Sequence, residues 1–112
     1  MTQIDVAAVP TFKALGDPTR QQILSLLGEG PKTIAEISDK FEMTRAGVKK
    51  HLVLLERGRL ISVEARGRER INSLSPEGFA AVSAWVSFFD RFWDDKLAAL
   101  KQAAETSKPK KD

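Results

Sequence analysis

Thr33-Ile-Ala-Glu-Ile-Ser-Asp-Lys-Phe-Glu-Met-Thr44-Arg-Ala-Gly-Val-Lys-Lys-His-Leu-Val-Leu-Leu-Glu-Arg-Gly58 is the stretch that decides the fold of this chain. Thr33 and Glu36 stand at the spacing of a capping box, in which hydroxyl and carboxylate each satisfy a backbone donor at a helix start. Ile34, Ile37 and Phe41 follow at steps of three and four, the stripe of a half-buried helix. After Glu42-Met43, Thr44 caps a second helix that the pattern carries to about Arg57, where Gly58 stops it. Val48, Leu52 and Leu55 form its inward face; Arg45, Ala46, Lys49, Lys50 and Val53 point outward. Two helices on so short a connection have the helix-turn-helix layout, whose second helix enters the major groove of DNA with its N-terminal residues at base edges.

Upstream, Phe12–Leu15 predicts a short helix behind nine weakly patterned residues. Asp17-Pro18 then suits the cap and first turn of a helix. That helix buries Ile23, Leu24, Leu26 and Leu27 and ends at Gly28-Glu-Gly30-Pro31. Downstream the period changes. Leu60–Ala65 and Glu69–Leu74 flank Arg66-Gly67-Arg68, the arrangement of a β-hairpin. Its basic tip, Arg66, Arg68 and Arg70, suits a wing laid on phosphates or in the adjacent minor groove. Ser75-Pro76 opens a last helix expected to run unbroken to about Thr106, followed by a charged tail over 107–112. On it Phe79, Val82, Val86, Phe89, Trp93 and Leu100 form one stripe and Trp85, Phe88 and Phe92 a second. One stripe can cover the core. The other would leave large aromatics in water, which a chain this short rarely does alone. A homodimer interface is therefore expected at Trp85, Phe88, Phe89, Phe92 and Trp93, joined by Phe12 and Leu15.

Composition narrows the function classes. The 112 residues suit one domain, 1–112, with an ordered core over 10–106. No apolar run approaches the roughly 20 residues of a membrane span, and Met1-Thr-Gln-Ile-Asp5 has no signal-peptide pattern, so a cytoplasmic protein is expected. There is no cysteine and one histidine, which excludes thiolate sites and any site built on several imidazoles within one subunit. No nucleophile–base pair, phosphate loop or metal-ligand spacing appears, so the chain does not read as an enzyme, and no cofactor or metal is expected. His51 suits helix packing or a place beside phosphate better than metal ligation. Asp90, Asp94 and Asp95 alternate with Arg91 and Lys96, as on a solvated helical face. Charge is uneven: 43–70 holds eight Lys and Arg against three acids, a net of +5, leaving −2 for the rest of a chain whose total is +3. A solvated face explains such a run, and so does a surface meeting a polyanion.

Ala14-Leu-Gly-Asp-Pro-Thr-Arg-Gln-Gln-Ile-Leu24, Thr33–Ser38, Thr44–Leu52, Leu55–Ile61, Arg66-Gly67-Arg68 and the aromatic positions Trp85, Phe92, Trp93 and Leu97 together resemble the ArsR-type winged-helix regulators, in its metal-independent branch. The likeness spans about residues 12–100. It implies a mainly α fold with a small β-hairpin: a winged helix-turn-helix with a long C-terminal dimerisation helix. It also implies a dimeric repressor on double-stranded DNA. The likeness departs at Lys49, where small or hydroxyl residues are common, so no operator sequence is carried across. The residues expected at DNA are Thr44, Arg45, Ala46, Lys49, Lys50, His51, Arg66, Arg68 and Arg70, and the expected operator is palindromic. The alternative is a winged-helix protein-interaction module, which would favour an apolar or acidic outward face on Thr44–Arg57.

Overall fold

Asp17 accepts a hydrogen bond from the Arg20 backbone N–H at 3.0 Å and, with Pro18 in the first turn, fixes the start of a helix over Pro18–Leu27. In this computed structural model, which describes residues 6–107, the helices that start after Thr33 and Thr44 are capped by side chains in the same way, whereas the helix that starts after Ser75 has Pro76 in its first turn but no cap hydrogen bond from the Ser75 side chain. In chain order the elements are α1 (Val9–Leu15), α2 (Pro18–Leu27), β1 (Lys32–Thr33), α3 (Ile34–Phe41), α4 (Arg45–Arg57), β2 (Ile61–Arg66), β3 (Glu69–Leu74), α5 (Pro76–Ser87) and α6 (Asp90–Ser107), with a short 3₁₀ turn at Val6–Ala8 before α1. The first helix is thus longer than the sequence pattern indicated, with Val6–Val9 helical rather than loose. Met1–Asp5, and the expected tail beyond Ser107, lie outside the described residues.

The core gathers Ala14, Ile23, Leu24, Leu26, Leu27, Ile37, Val48, Leu52, Leu55, Leu60 and Ile61. These come from α1 to α4 and the start of β2, so the helix-turn-helix is the core and not an appendage to it. The sheet has the order β1-β3-β2, antiparallel throughout, with Ile61 opposite Leu74 and Arg66 opposite Glu69. Gly67, at φ +64°, takes the first position of the two-residue turn, the place where such hairpins favour glycine. β1 was not foreseen, because two residues are too few for a periodic signal. The buried Asn72 of β3 ties it down by donating its Nδ2–H to the Lys32 carbonyl at 3.2 Å.

Two expectations about the last helix are corrected. It is not continuous. Phe88 and Phe89 form a turn in which the Phe89 N–H bonds the Val86 carbonyl three residues back, and the helix restarts with Trp93 N–H on the Phe89 carbonyl. No proline or glycine marks this break, so periodicity could not find it. Nor does either apolar stripe cover the core: the buried residue of α5 is Gly78. The chain is accordingly elongated, with a radius of gyration of 19.5 Å against about 13 Å for a compact chain of this length.

Gly78 sits where three backbones cross. Its N–H donates to the Arg59 carbonyl at 2.7 Å. Beside it, Thr11 Oγ1 donates to the Gly58 carbonyl at 2.8 Å. A Cβ on Gly78 would lie 2.6 Å from both the Gly58 and the Arg59 carbonyl oxygens, neither of which can swing aside as a side chain can. Helix propensity alone favours alanine over glycine by about 1 kcal/mol, whereas overpacking costs about 1–3 kcal/mol or more. Gly78→Ala is therefore expected to destabilise the fold, each kcal/mol lowering Tm by roughly 4–8 °C. A thermal melt with an unchanged or raised Tm would show that α5 can step back from the α4–β2 turn.

Candidate nucleic-acid interface

The turn of the helix-turn-helix is held by one residue that sequence reasoning passed over. Ser38 of α3 accepts the Met43 N–H at its backbone carbonyl (3.1 Å), and its Oγ–H donates to the Met43 carbonyl. Glu42 between them takes left-handed backbone angles, φ 55° and ψ 44°, which close the turn. Thr44 then caps α4, its Oγ1 accepting from the Gly47 N–H at 3.0 Å. The capping box at Thr33 and Glu36 forms in both directions, at 2.8 and 3.1 Å. These local bonds fix the angle between α3 and α4 and so the direction in which α4 presents its side chains.

Val48, Leu52 and Leu55 are buried, whereas Thr44, Arg45, Ala46, Lys49 and Lys50 are exposed. Their angular positions differ, at 100° per residue. Ala46, Lys50 and Val53 lie opposite the buried face. Arg45 and Lys49 lie to one side of it, not directly opposite the core, and that side faces the wing. A recess runs there between α4 and the hairpin, lined by Arg45, Lys49, Val53 and Glu56 from the helix and by Arg68, Glu69 and Arg70 from the wing, with Ile34 and Val63 also lining it. Arg66, also at the tip, is outside this recess and lies 3.5 Å from Glu64. Arg68 and Arg70 make no ion pair among the described residues.

His51 takes a different place from the rest. Its half-buried ring turns Nδ1 toward the Arg20 guanidinium at 3.3 Å and lies 4.0 Å from the Asp17 carboxylate. Arg20 in turn donates to the carbonyls of Ala14 (2.7 Å) and Lys13 (3.3 Å). It thereby joins the C-terminal end of α1 to α4. The Arg20 backbone N–H, with further help from the Arg20 and His51 charges, holds the Asp17 carboxyl below its ordinary value. This cluster is structural: it satisfies helix ends and orients a ring. Among the described residues no three His, Cys, Asp or Glu side chains come together to hold a metal ion.

The aromatic residues expected at a dimer contact form a chain of edge-to-face pairs: Phe12 with Trp85 at 5.4 Å, Trp85 with Phe89 at 5.2 Å, and Phe88 with Phe89 at 4.9 Å. This brings α1 against α5. Phe92 and Trp93 pair at 5.0 Å farther out on α6 and are half exposed, at 50% and 51%. Leu15 is partly buried and packs against the core. No helix is long and apolar enough to cross a membrane, among the described residues.

A helix-turn-helix domain family matches residues 15–64, from the end of α1 into β2. Over 95 residues the chain is 32% identical to the HTH-type transcriptional regulator Rv2034 of Mycobacterium tuberculosis, covering 85% of this chain and 86% of that one. The transcriptional repressor SdpR of Bacillus subtilis is 31% identical over 77% of this chain and 96% of its own. Among solved structures, an ArsR family transcriptional regulator superposes with a TM-score of 0.73 at 34% identity, covering 84% of this chain and 97% of that one. An ArsR-like transcriptional regulator from Rhodococcus sp. RHA1 gives 0.72 at 28% identity, over 90% and 93%.

Proposed function

This chain belongs to the ArsR-type winged helix-turn-helix family of transcriptional regulators, a DNA-binding and non-enzymatic class, and from that premise we propose that it is a cytoplasmic, homodimeric repressor whose two α4 helices read a palindromic operator without a metal or other cofactor. The observation that carries this reading is the exposed basic N-terminal half of α4 set beside a wing that turns Arg68 and Arg70 toward it. The repressor role is supported by the relationship to SdpR. The dimer is supported by aromatic surface on α5 and α6 that the fold leaves half exposed. Thr44, Arg45, Ala46, Lys49 and Lys50 meet the DNA from the helix, and Arg66, Arg68 and Arg70 from the wing. His51 lends α4 its tie to α2.

Arg45 and Lys49 are one helical turn apart on the wing side of α4, where both can reach base edges. Arg and Lys pair with guanine O6 and N7, each good contact discriminating by about 1–3 kcal/mol. Dimer-related helices reach half-sites about 34–36 Å apart, one turn of DNA. In binding-site selection from a random library, the wild type should enrich a palindrome with guanine in each half-site. Arg45→Ala should relax one defined base pair per half-site while weakening nonspecific binding less. An unchanged preferred sequence would assign Arg45 to the phosphate backbone. Soft metals want thiolates and borderline metals several imidazoles, and this chain has no cysteine and a single histidine. Stoichiometric zinc should leave the affinity for the selected operator unchanged, and a tenfold shift reversed by a chelator would overturn the metal-free reading.

A further inference from the structure

The outermost face of α4 holds more than lysines. Ala46, Lys49, Lys50 and Val53 stand at i, i+3, i+4 and i+7, one contiguous patch on a helix, and together with Leu54 they line a shallow recess. Val53 is 38% exposed and takes no part in the core. Val53 also borders the recess beside the wing, but the buried core is assembled without it. A β-branched residue is a poorer helix former than lysine or glutamate, and a long charged side chain at this position could reach solvent.

We propose that Ala46 and Val53 are readers of thymine methyl groups, so that thymine content in each half-site is selected by aliphatic contact alongside the cations. The proposal rests on the reading of α4 as a major-groove helix. Base edges in that groove offer hydrogen-bond donors and acceptors, which suit Arg45 and Lys49. The one apolar group they offer is the thymine C5-methyl. An aliphatic side chain facing the groove has that methyl as its specific partner, and Lys49 and Lys50 on either side draw the backbone close enough for contact. A protein partner is the poorer occupant. Stable protein interfaces bury about 800 Å² per partner, far more than two small side chains among lysines can supply. Ala46 and Val53 are seven residues apart, about 10 Å along the helix axis, or about three base-pair steps at 3.4 Å each. Each half-site should therefore carry two methyl contacts spaced by about three base pairs.

Replacing thymine by deoxyuridine removes the methyl and leaves base pairing and the O4 acceptor intact. In the operator obtained by selection, deoxyuridine at each of two positions per half-site should weaken wild-type binding by about fourfold, the worth of one buried methyl. Val53→Ala should bind the thymine operator more weakly and lose the deoxyuridine effect at one of those positions while keeping it at the other. Val53→Thr, which retains one methyl, should fall between. Both changes are on an exposed position, and circular dichroism melts confirm the folded state. Operator binding that is indifferent to deoxyuridine everywhere would overturn the proposal and leave the DNA-binding reading standing. So would Val53→Ala with full sensitivity at every position. Failure to enrich any DNA sequence would overturn both.

Discussion

Operator affinity is expected to fall by about 10³- to 10⁵-fold when salt is raised from 50 to 200 mM, as it does for proteins that neutralise about 6–10 phosphates. Three to five contacts per subunit reach that number in a dimer. The arginines of the wing differ in their surroundings. Arg68 and Arg70 line the recess beside α4, whereas Arg66 shares its field with Glu64 at 3.5 Å. That pair is exposed and contributes little to stability, but it lowers the local positive potential. Arg68→Ala removes two contacts from a dimer, so the slope of log affinity against log salt should flatten by about 1.8. Arg66→Ala should flatten it less. Titrations at three salt concentrations decide the matter, and an Arg68→Ala protein with the wild-type slope would mean that the wing does not touch the backbone.

The second large effect is expected at Phe92. Trp85 is held within the subunit by Phe12 and Phe89, so truncating it disturbs the monomer as well as any contact made by α5. Phe92 has no such anchor. Its neighbours are Trp93 and the Lys96 ammonium 5.5 Å above its ring, all on α6. Half-exposed aromatics in a patch of this kind are what a protein–protein contact buries at its centre, and truncating a central anchor costs about 2 kcal/mol or more, roughly 30-fold in the dissociation constant. Phe92→Ala should thus shift the monomer–dimer equilibrium by at least that factor and weaken operator binding with it, while leaving the thermal stability of the monomer close to wild type. Sedimentation equilibrium of the wild type tests the premise. A wild-type protein that stays monomeric at micromolar concentration would remove the dimer from the proposal.

How legible this was in the sequence depended on the kind of signal. Caps were read correctly at Asp17, Thr33 and Thr44 because each is a local bargain between one side chain and backbone donors two or three residues away. The buried face of α4 was equally plain from spacing. What escaped was anything made by residues distant in the chain. Arg20 reaches His51 across 31 positions, and Asn72 reaches Lys32 across 40; no periodicity encodes such pairs. The break at Phe88-Phe89 escaped for another reason: both halves carry helical periodicity, and the hydrogen-bond shift between them needs no special residue. The stripes on the last helix were found, but their destination was not. Apolar spacing says that a face wants burial and is silent on whether the same subunit provides it. The placement of Arg45 and Lys49 was less plain: exposure on a helix covers a wide arc, and both lie to one side of the buried face and not opposite it.

The crossing at Gly58 and Gly78 leaves no compliant joint between the end of α4 and the start of α5, because three backbones meet there at contact distance. If α4 reads DNA and α5 and α6 meet a partner, as proposed, α4 mounted this way acts like one jaw of a caliper. In a dimer the gap between jaws is then a property of how the two subunits meet, not of either DNA-contacting surface. One base pair added between half-sites rotates one of them by about 34°, and the crossing at Gly58 and Gly78 has no slack with which to follow it. The DNA must twist or contacts must be given up. The same stiffness works in reverse. A molecule that changed the angle between subunits would reset the gap, and would release the operator without coming near α4.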